Sequence, residues 1–315
     1  MMTLMIGFSL LGAALVVQAS QPAPVVTISA AELARAPHLT IAREPVWRVG
    51  GDADGPYGFA RMVGGTFKRG GVAILESNPP EVRLYDNSGK HLSSFGRKGR
   101  GPGEFENLQR LVPHVGDSMV VAQINRVSVF DVTGRHGRTV STANAANVLA
   151  TPYRMLSDGS LLAATRPMPT PQDRTSQREG VRRDSTRIVV LAPDGANVVM
   201  DLGRRLIGET VVARSGQGWI HTAPAFGPSL LMEGGDSLVF LLQTDAPTFD
   251  VLRGRSGQKV RTISMSLTPR AVTQRDRDEF ARARRTGAAK GPNAALAVKG
   301  TEDYLKVMKY PDKMP

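Results

Sequence analysis

Five histidines, His38, His91, His114, His136 and His221, are the side chains best suited to hold a transition metal or shuttle protons. No two of them fall within metal-ligand spacing, so His-Glu-x-x-His and facial-triad sites are absent and each reads as a lone surface or turn histidine. The chain has no cysteine, which excludes a disulfide framework, a zinc ribbon, an iron-sulfur cluster and a thiol nucleophile. No Gly-x-Ser continues as Gly-x-Ser-x-Gly, so the nucleophile elbow of an α/β-hydrolase is missing. Asp52-Ala53-Asp54-Gly55 opens like a calcium loop but lacks the later ligands and the closing Glu, and reads as a turn. The glycine-rich run from Gly96 to Gly103 crowds Arg97, Lys98 and Arg100 together, as a phosphate cradle would. It does not end in Gly-Lys-Ser/Thr and no alternating helix follows, so a connection with basic rim residues is the better reading, with a surface anion site at Arg97, Lys98 and Arg100 as the alternative. Trp47 and Trp219 lie in apolar or strand-like surroundings, which favours core packing over ligand stacking.

The second basic feature lies near the C-terminus. Net charge is +12, and from Val251 onward 15 Lys/Arg stand against 6 Asp/Glu. Thr273 to Thr286 reads as one helix, with Thr273 as N-cap, Asp276, Asp278 and Glu279 near the positive end of the dipole, and Arg282, Arg284 and Arg285 near the negative end. Its narrow apolar stripe predicts a solvated surface helix, the alternative being an anion or membrane-surface site at those arginines. Nucleic acid fits poorly, because no aromatic residues interleave with the basic ones.

Length, 41% hydrophobic and 22% charged residues, and 33 Gly with 21 Pro describe a globular chain cut by many turns. Residues 1–19 read as a signal peptide: the run Leu4 to Val17 is too short to span a bilayer and ends at Val17-Gln18-Ala19, ahead of Pro22 and Pro24. No Lys or Arg precedes that run. Residues 20–45 then form an N-terminal extension, and the protein is expected in the periplasm or outside the cell.

Residues 46–270 repeat themselves. Tyr85-Asp86-Asn87-Ser88-Gly89-Lys90 and Phe130-Asp131-Val132-Thr133-Gly134-Arg135 share the pattern aromatic, Asp, any, hydroxyl, Gly, basic. Gly116-Asp117-Ser118 leads to Phe130-Asp131-Val132 at the same interval as Gly235-Asp236-Ser237 to Phe249-Asp250-Val251. Ser157-Asp158-Gly159 and Pro193-Asp194-Gly195 mark a further unit, interrupted by a polar stretch from Pro167 to Arg187 that reads as a mobile loop. Four units start near Phe59, Leu108, Tyr153 and Pro228. Each reads as strand, hairpin, strand, hairpin, with Asp-x-x-Gly explained by turn chemistry alone. Such a unit cannot cover both faces of its own sheet, and arrays of four-stranded units at this spacing mark a β-propeller.

Phe95-Gly96-Arg97-Lys98-Gly99-Arg100-Gly101-Pro102-Gly103-Glu104-Phe105, following Asp86-x-x-Gly89-Lys90, resembles the blade junction of secreted six-bladed β-propellers related to NHL-repeat proteins. The match is close from Val82 to Phe105 and approximate from Trp47 to Ile263. The resemblance implies an all-β propeller with about four of six blades in this sequence, and a charged helical insertion beginning the stretch 271–315, which also holds the start of a further blade. It implies a closing N-terminal strand, for which Pro45-Val46-Trp47-Arg48-Val49 is suited, and exposed apolar blade faces where no neighbour exists.

The function this supports is a non-catalytic exported propeller that offers its loop face to a protein, peptide or glycan ligand, with no cofactor or metal and with peripheral envelope association. A hydrolase or lyase with its site in the central channel is the alternative, disfavoured because the inner positions near Met62, Leu108, Tyr153 and Leu230 are mostly apolar. An anion or membrane-surface binder using the arginine-rich helix is the third.

Overall fold

The computed structural model describes residues 22–50, 58–68, 70–112, 114, 116–142, 148–167, 177–290 and 293–314. The leader 1–19 and the Asp52–Gly55 turn lie outside the described residues. Among the described residues four sheets carry the fold, all antiparallel except for one added edge strand. The first holds β2 (Met62–Lys68), β3 (Gly71–Ser77), β4 (Pro80–Asp86) and β5 (His91–Phe95). The second holds β6 (Leu108–Val112), β7 (Met119–Gln123), β8 (Arg126–Phe130) and β9 (His136–Ser141). The third holds β10 (Val148–Met155), β11 (Leu161–Pro167), β12 (Gly180–Leu191), β13 (Val198–Ser215) and β14 (Gly218–Thr222). The fourth holds β15 (Leu230–Gly235), β16 (Leu238–Gln243), β17 (Thr248–Arg253) and β18 (Lys259–Met265), with β1 (Val25–Ile28) added at its edge. Apart from β1, which lies beside β18, the strands of each sheet pair in chain order, which is the meander of a propeller blade, and β2, β6, β10 and β15 lie side by side along the inner edge of the array.

The apolar pattern explains why these sheets stack. In β7 every residue is buried. Met119 and Val121 enter the core shared with the first sheet, whereas Val120 and Ala122 enter the core shared with the third. In β12 Val189 and Leu191 face the second sheet while Ile188 and Val190 face the fourth. Alternate residues of one strand therefore serve two cores, and each fully buried Val or Leu contributes on the order of 1.5–3 kcal/mol. The fourth sheet differs: Val239 and Leu241 of β16 are buried against the third sheet, but Leu238, Phe240 and Leu242 on its other face are only half-buried and Leu231 is 52% exposed. This is the exposed blade face expected from the sequence.

The repeated Asp-x-x-Gly turns are built as the sequence indicates. The Asp86 carboxylate accepts from Ser88 N, Ser88 Oγ and Lys90 N, and Asp131 repeats this with Thr133 N, Thr133 Oγ1 and Arg135 N. Packing between blades repeats too: Phe95 meets Phe130 at 4.7 Å, and Phe105 of the glycine-rich connection meets the same ring at 5.6 Å.

Three expectations are corrected. The closing strand is not Pro45–Val49; the strand that joins the fourth sheet is β1, running parallel to β18. Trp47 instead lies against the turn at Gly89, over the first sheet, where Phe59 also packs on Arg83 and near Tyr85. The stretch from Pro167 to Arg187 is not wholly a loop, since Gly180 to Arg187 extends β12 along β13 far beyond the blade; residues 168–176 lie outside the described residues. Trp219 is not a core residue but stands 37% exposed on β14, the edge strand of the third sheet, which pairs with the end of β13.

Two helices close the chain, α2 (Gln274–Ala288) and α3 (Ala294–Val307); the short α1 (Ala30–Arg35) follows β1. Thr273 and Asp276 form a capping box at the start of α2, and Arg270 grips Asp276 with two hydrogen bonds of 2.9 and 2.8 Å. The pair docks on β13 through a core of Val211, Ala225, Tyr304 and Met308, with Phe280 and Tyr310 packed against it.

Candidate ligand cleft on the inner strands

The first strands of the first three sheets share an irregularity that composition does not reveal. Register slips by one residue between Met62 and Gly64, between Leu108 and Arg110, and between Pro152 and Arg154. Val63, Gln109 and Tyr153 are thus the extra residues of three bulges at matching positions, and a bulge bends the strand and re-aims a side chain. β15 pairs with β16 in unbroken register.

Gln109 and Tyr153 line a cleft of about 1060 Å³ between the inner strands and the extension of the third sheet. Arg110 crosses from β6 to lay its guanidinium over the Tyr153 ring, 4.2 Å from the centroid. Its Nε is buried and has no hydrogen-bond partner among the described residues. The opposite wall comes from β12 and β13, where Arg182 pairs with Asp184 at 3.3 Å and Arg204 Nη1 donates to Ser185 Oγ at 3.3 Å. His221 stands at the border, with Nε2 3.1 Å from Gln177 Oε1. Hydroxyls of Thr151, Thr210 and Ser229 complete a polar lining, while Leu230 and Met232 give it an apolar floor.

The extension that makes the wall is tied to the fourth sheet by Arg183, whose Nη1 donates to Asp245 Oδ2 at 2.6 Å and holds that carboxyl below the ordinary range. Between the inner strands, Arg154 of β10 reaches Glu233 of β15 at 2.9 Å. At the other flank Lys68 Nζ donates to Ser118 O at 2.7 Å and joins the first sheet to the second; burial pushes its pKa down. Burial also lowers the pKa of His114, beside Met155 O. None of these groups lines the cleft.

The inner positions read from sequence as apolar need revision at the second sheet. Leu108 packs into the core between the first two sheets, and the bulge hands the lining to Gln109 and Arg110. Tyr153 and Leu230 do line the cleft. Of the wall arginines, Arg182 lay in the stretch read as a loop, and Arg204 was not singled out from the sequence.

The basic residues singled out in the sequence lie on two separate elements. Arg97 bonds Glu104 at 2.8 Å and Arg100 bonds Glu106 at 3.0 Å, while Arg126 donates to Gly99 O, Arg100 O and Glu104 O and so binds the glycine-rich connection to β8. Lys98 is exposed and pairs by backbone with Phe105. On α2, Arg285 forms two bonds to Glu302 of α3, Arg284 stacks over Tyr304 at 4.6 Å, and Arg282 is exposed. Among the described residues no three His, Asp or Glu side chains gather as a metal site, and no helix is long and apolar enough to cross a membrane.

No family model matches the chain and no curated protein matches it in sequence. Solved structures similar to it include a candidate exported protein from Bacteroides fragilis, 12% identical over 75% of this chain and 79% of that one, with TM-score 0.35. The WD40 domain of Neurospora crassa Pan2 is 12% identical over 67% of this chain and 66% of that one, TM-score 0.31. The calcium-binding protein regucalcin from Agrobacterium tumefaciens is 11% identical over 66% and 75%, TM-score 0.28. With TM-scores this low these likenesses bear no weight on function, and it is the strand order within its own four- and five-stranded sheets that makes this chain an all-β protein of propeller blades.

Proposed function

We propose that the protein is an exported binding protein of propeller type that seats a segment of a protein, peptide or glycan in the inner-strand cleft. The observation that carries this reading is the Arg110 guanidinium stacked on Tyr153, with a buried Nε that has no hydrogen-bond partner among the described residues. A stacked arginine is pre-organised, so little side-chain entropy is lost when a ligand meets it. The leader-like run Leu4 to Val17 supports export. The rim arginines Arg97 and Arg100 are engaged by Glu104 and Glu106, so a ligand at that loop has to compete with those pairs.

The test is a binding screen of the purified protein against arrays of glycans and peptides, with hydrogen exchange used to map the site. The expected result is a ligand that protects Thr151 to Met155 and Gly208 to Thr210, and that binds Arg110→Ala at least tenfold more weakly. Protection confined to the blade-connecting loops, with Arg110→Ala binding as well as wild type, would place the site elsewhere. Export is checked by N-terminal sequencing of the protein from a fractionated native host, where a mature start near Ser20 in the extracytoplasmic fraction is expected.

A further inference from the structure

Donors dominate the cleft. Its lining holds the guanidinium groups of Arg110, Arg182 and Arg204, which can donate but never accept, against the single carboxylate of Asp184, which Arg182 already engages. A peptide main chain presents donors and acceptors in equal number and binds best along a strand edge. On the β12–β13 wall the two edges that face each other are paired, Arg182, Ser185 and Thr186 across to Thr210, Leu206 and Arg205, so a ligand lying over that ladder meets side chains. What that wall offers a ligand is side chains, chiefly guanidinium and hydroxyl groups. The complementary ligand is rich in acceptors, carries negative charge, and has hydroxyls that can answer those of the wall.

Resting on the reading of the cleft as the ligand seat, we propose that its ligand is an acidic oligosaccharide, and that Arg110 sets specificity by taking a sugar carboxylate. The Tyr153 ring orients the planar fork of Arg110, and Arg204 supplies the second positive group from the facing wall. A lysine at position 110 keeps the charge but neither the fork nor the stacking surface.

The experiment is calorimetric titration of the full-length mature protein with oligogalacturonate, with the carboxyl-reduced neutral oligomer of the same length, and with an oligoglutamate peptide. The expected result is saturable binding of oligogalacturonate that weakens with added salt, and affinity lower by about 10- to 100-fold for the neutral oligomer, for Arg110→Ala and for Arg110→Lys. Thermal unfolding and the circular dichroism spectrum of each variant confirm that it folds. If the neutral oligomer or the peptide binds as tightly as oligogalacturonate and Arg110→Ala abolishes that binding, the acidic-glycan inference is wrong while the cleft reading stands. If oligogalacturonate binds and neither Arg110 variant weakens it, both fail. Absence of any oligogalacturonate binding overturns this inference alone.

Discussion

Glu76 and Gln123 hold the same place in successive sheets, opposite the residue before the inner-strand bulge and near the end of the second strand, and each is fully or almost fully buried. Glu76 Oε1 accepts from the backbone N–H of Arg61, Ser77 and Asn78, and Gln123 Oε1 accepts from Glu106 N and Arg126 Nη2. In both sheets a side chain at the strand end thus anchors the segment leading into the blade. Glu76→Ala leaves three backbone donors without this acceptor and is expected to cost about 2–4 kcal/mol in urea unfolding. Glu76→Gln keeps the accepting oxygen, as Gln123 does, and should stay within about 1 kcal/mol of wild type. Equal stability of the two variants would show that the anchor is dispensable.

Turn chemistry made the blades legible in the sequence, through Asp-x-x-Gly at Asp86–Gly89 and Asp131–Gly134 and Asp-Gly at Asp158-Gly159 and Asp194-Gly195. The blade cores followed from apolar runs such as Met119 to Ala122, whose burial on both faces needs a sheet on either side. The cleft was not legible. A bulge at Gln109 costs no distinctive residue, so the exchange of Leu108 for Gln109 and Arg110 along the inner edge leaves no trace in composition. The extension of β12 was missed because Arg182, Arg183 and Arg187 look like loop residues. Each is balanced in the structure by an acid distant from or adjacent to it: Asp184, Asp245 or Asp201. The Pro45–Val49 segment reads as a strand by residue type, yet Val25–Ile28 takes the sheet edge and leaves Trp47 to pack on a turn.

Gly134 and Gly70 share a left-handed backbone, with φ of 88° and 87°, but not their surroundings. A Cβ at Gly134 would collide with the Phe95 ring, whereas nothing lies within 4 Å of one at Gly70. Gly70→Ala should therefore cost only the conformational penalty, about 1 kcal/mol, and Gly134→Ala about 1–3 kcal/mol more through displacement of Phe95 from Phe130. Chemical denaturation of the two variants side by side measures the difference, and equal losses would mean that the Phe95 ring moves aside freely.

The start of α2 should respond to acid. Two bonds from Arg270, together with the hydroxyl and backbone N–H of Thr273, hold the Asp276 carboxyl well below the ordinary carboxylate range. A depressed folded-state pKa contributes stability that is fully present above the unfolded value near 3.8 and is lost as pH falls from there through the folded value. Amide exchange at the first turn of α2 should thus accelerate as pH drops below about 4, after correction for the intrinsic rate. Asp276→Asn should flatten that response. A wild-type profile with no extra acceleration would remove Asp276 as its cause.

Tyr304 decides whether the helical pair stays on the blades. It is 0% exposed, its hydroxyl donates to Ala223 O at 3.0 Å, and its ring sits under the Arg284 guanidinium and beside Phe280. Tyr304→Phe removes the hydroxyl shared between Ala223 O and Met308 Sδ, an expected loss of about 1 kcal/mol. Tyr304→Ala empties the centre of the Val211, Ala225 and Met308 cluster, with an expected cost of about 3–5 kcal/mol borne by that docking interface. Because the cores between the sheets contain no residue of α2 or α3, the interface should open while the blades persist. Limited proteolysis of Tyr304→Ala is then expected to cut between Thr268 and Tyr310 at protease levels that leave the sheets intact. Cleavage throughout the blades at the same protease level would show instead that the helices and the third sheet fold as one unit.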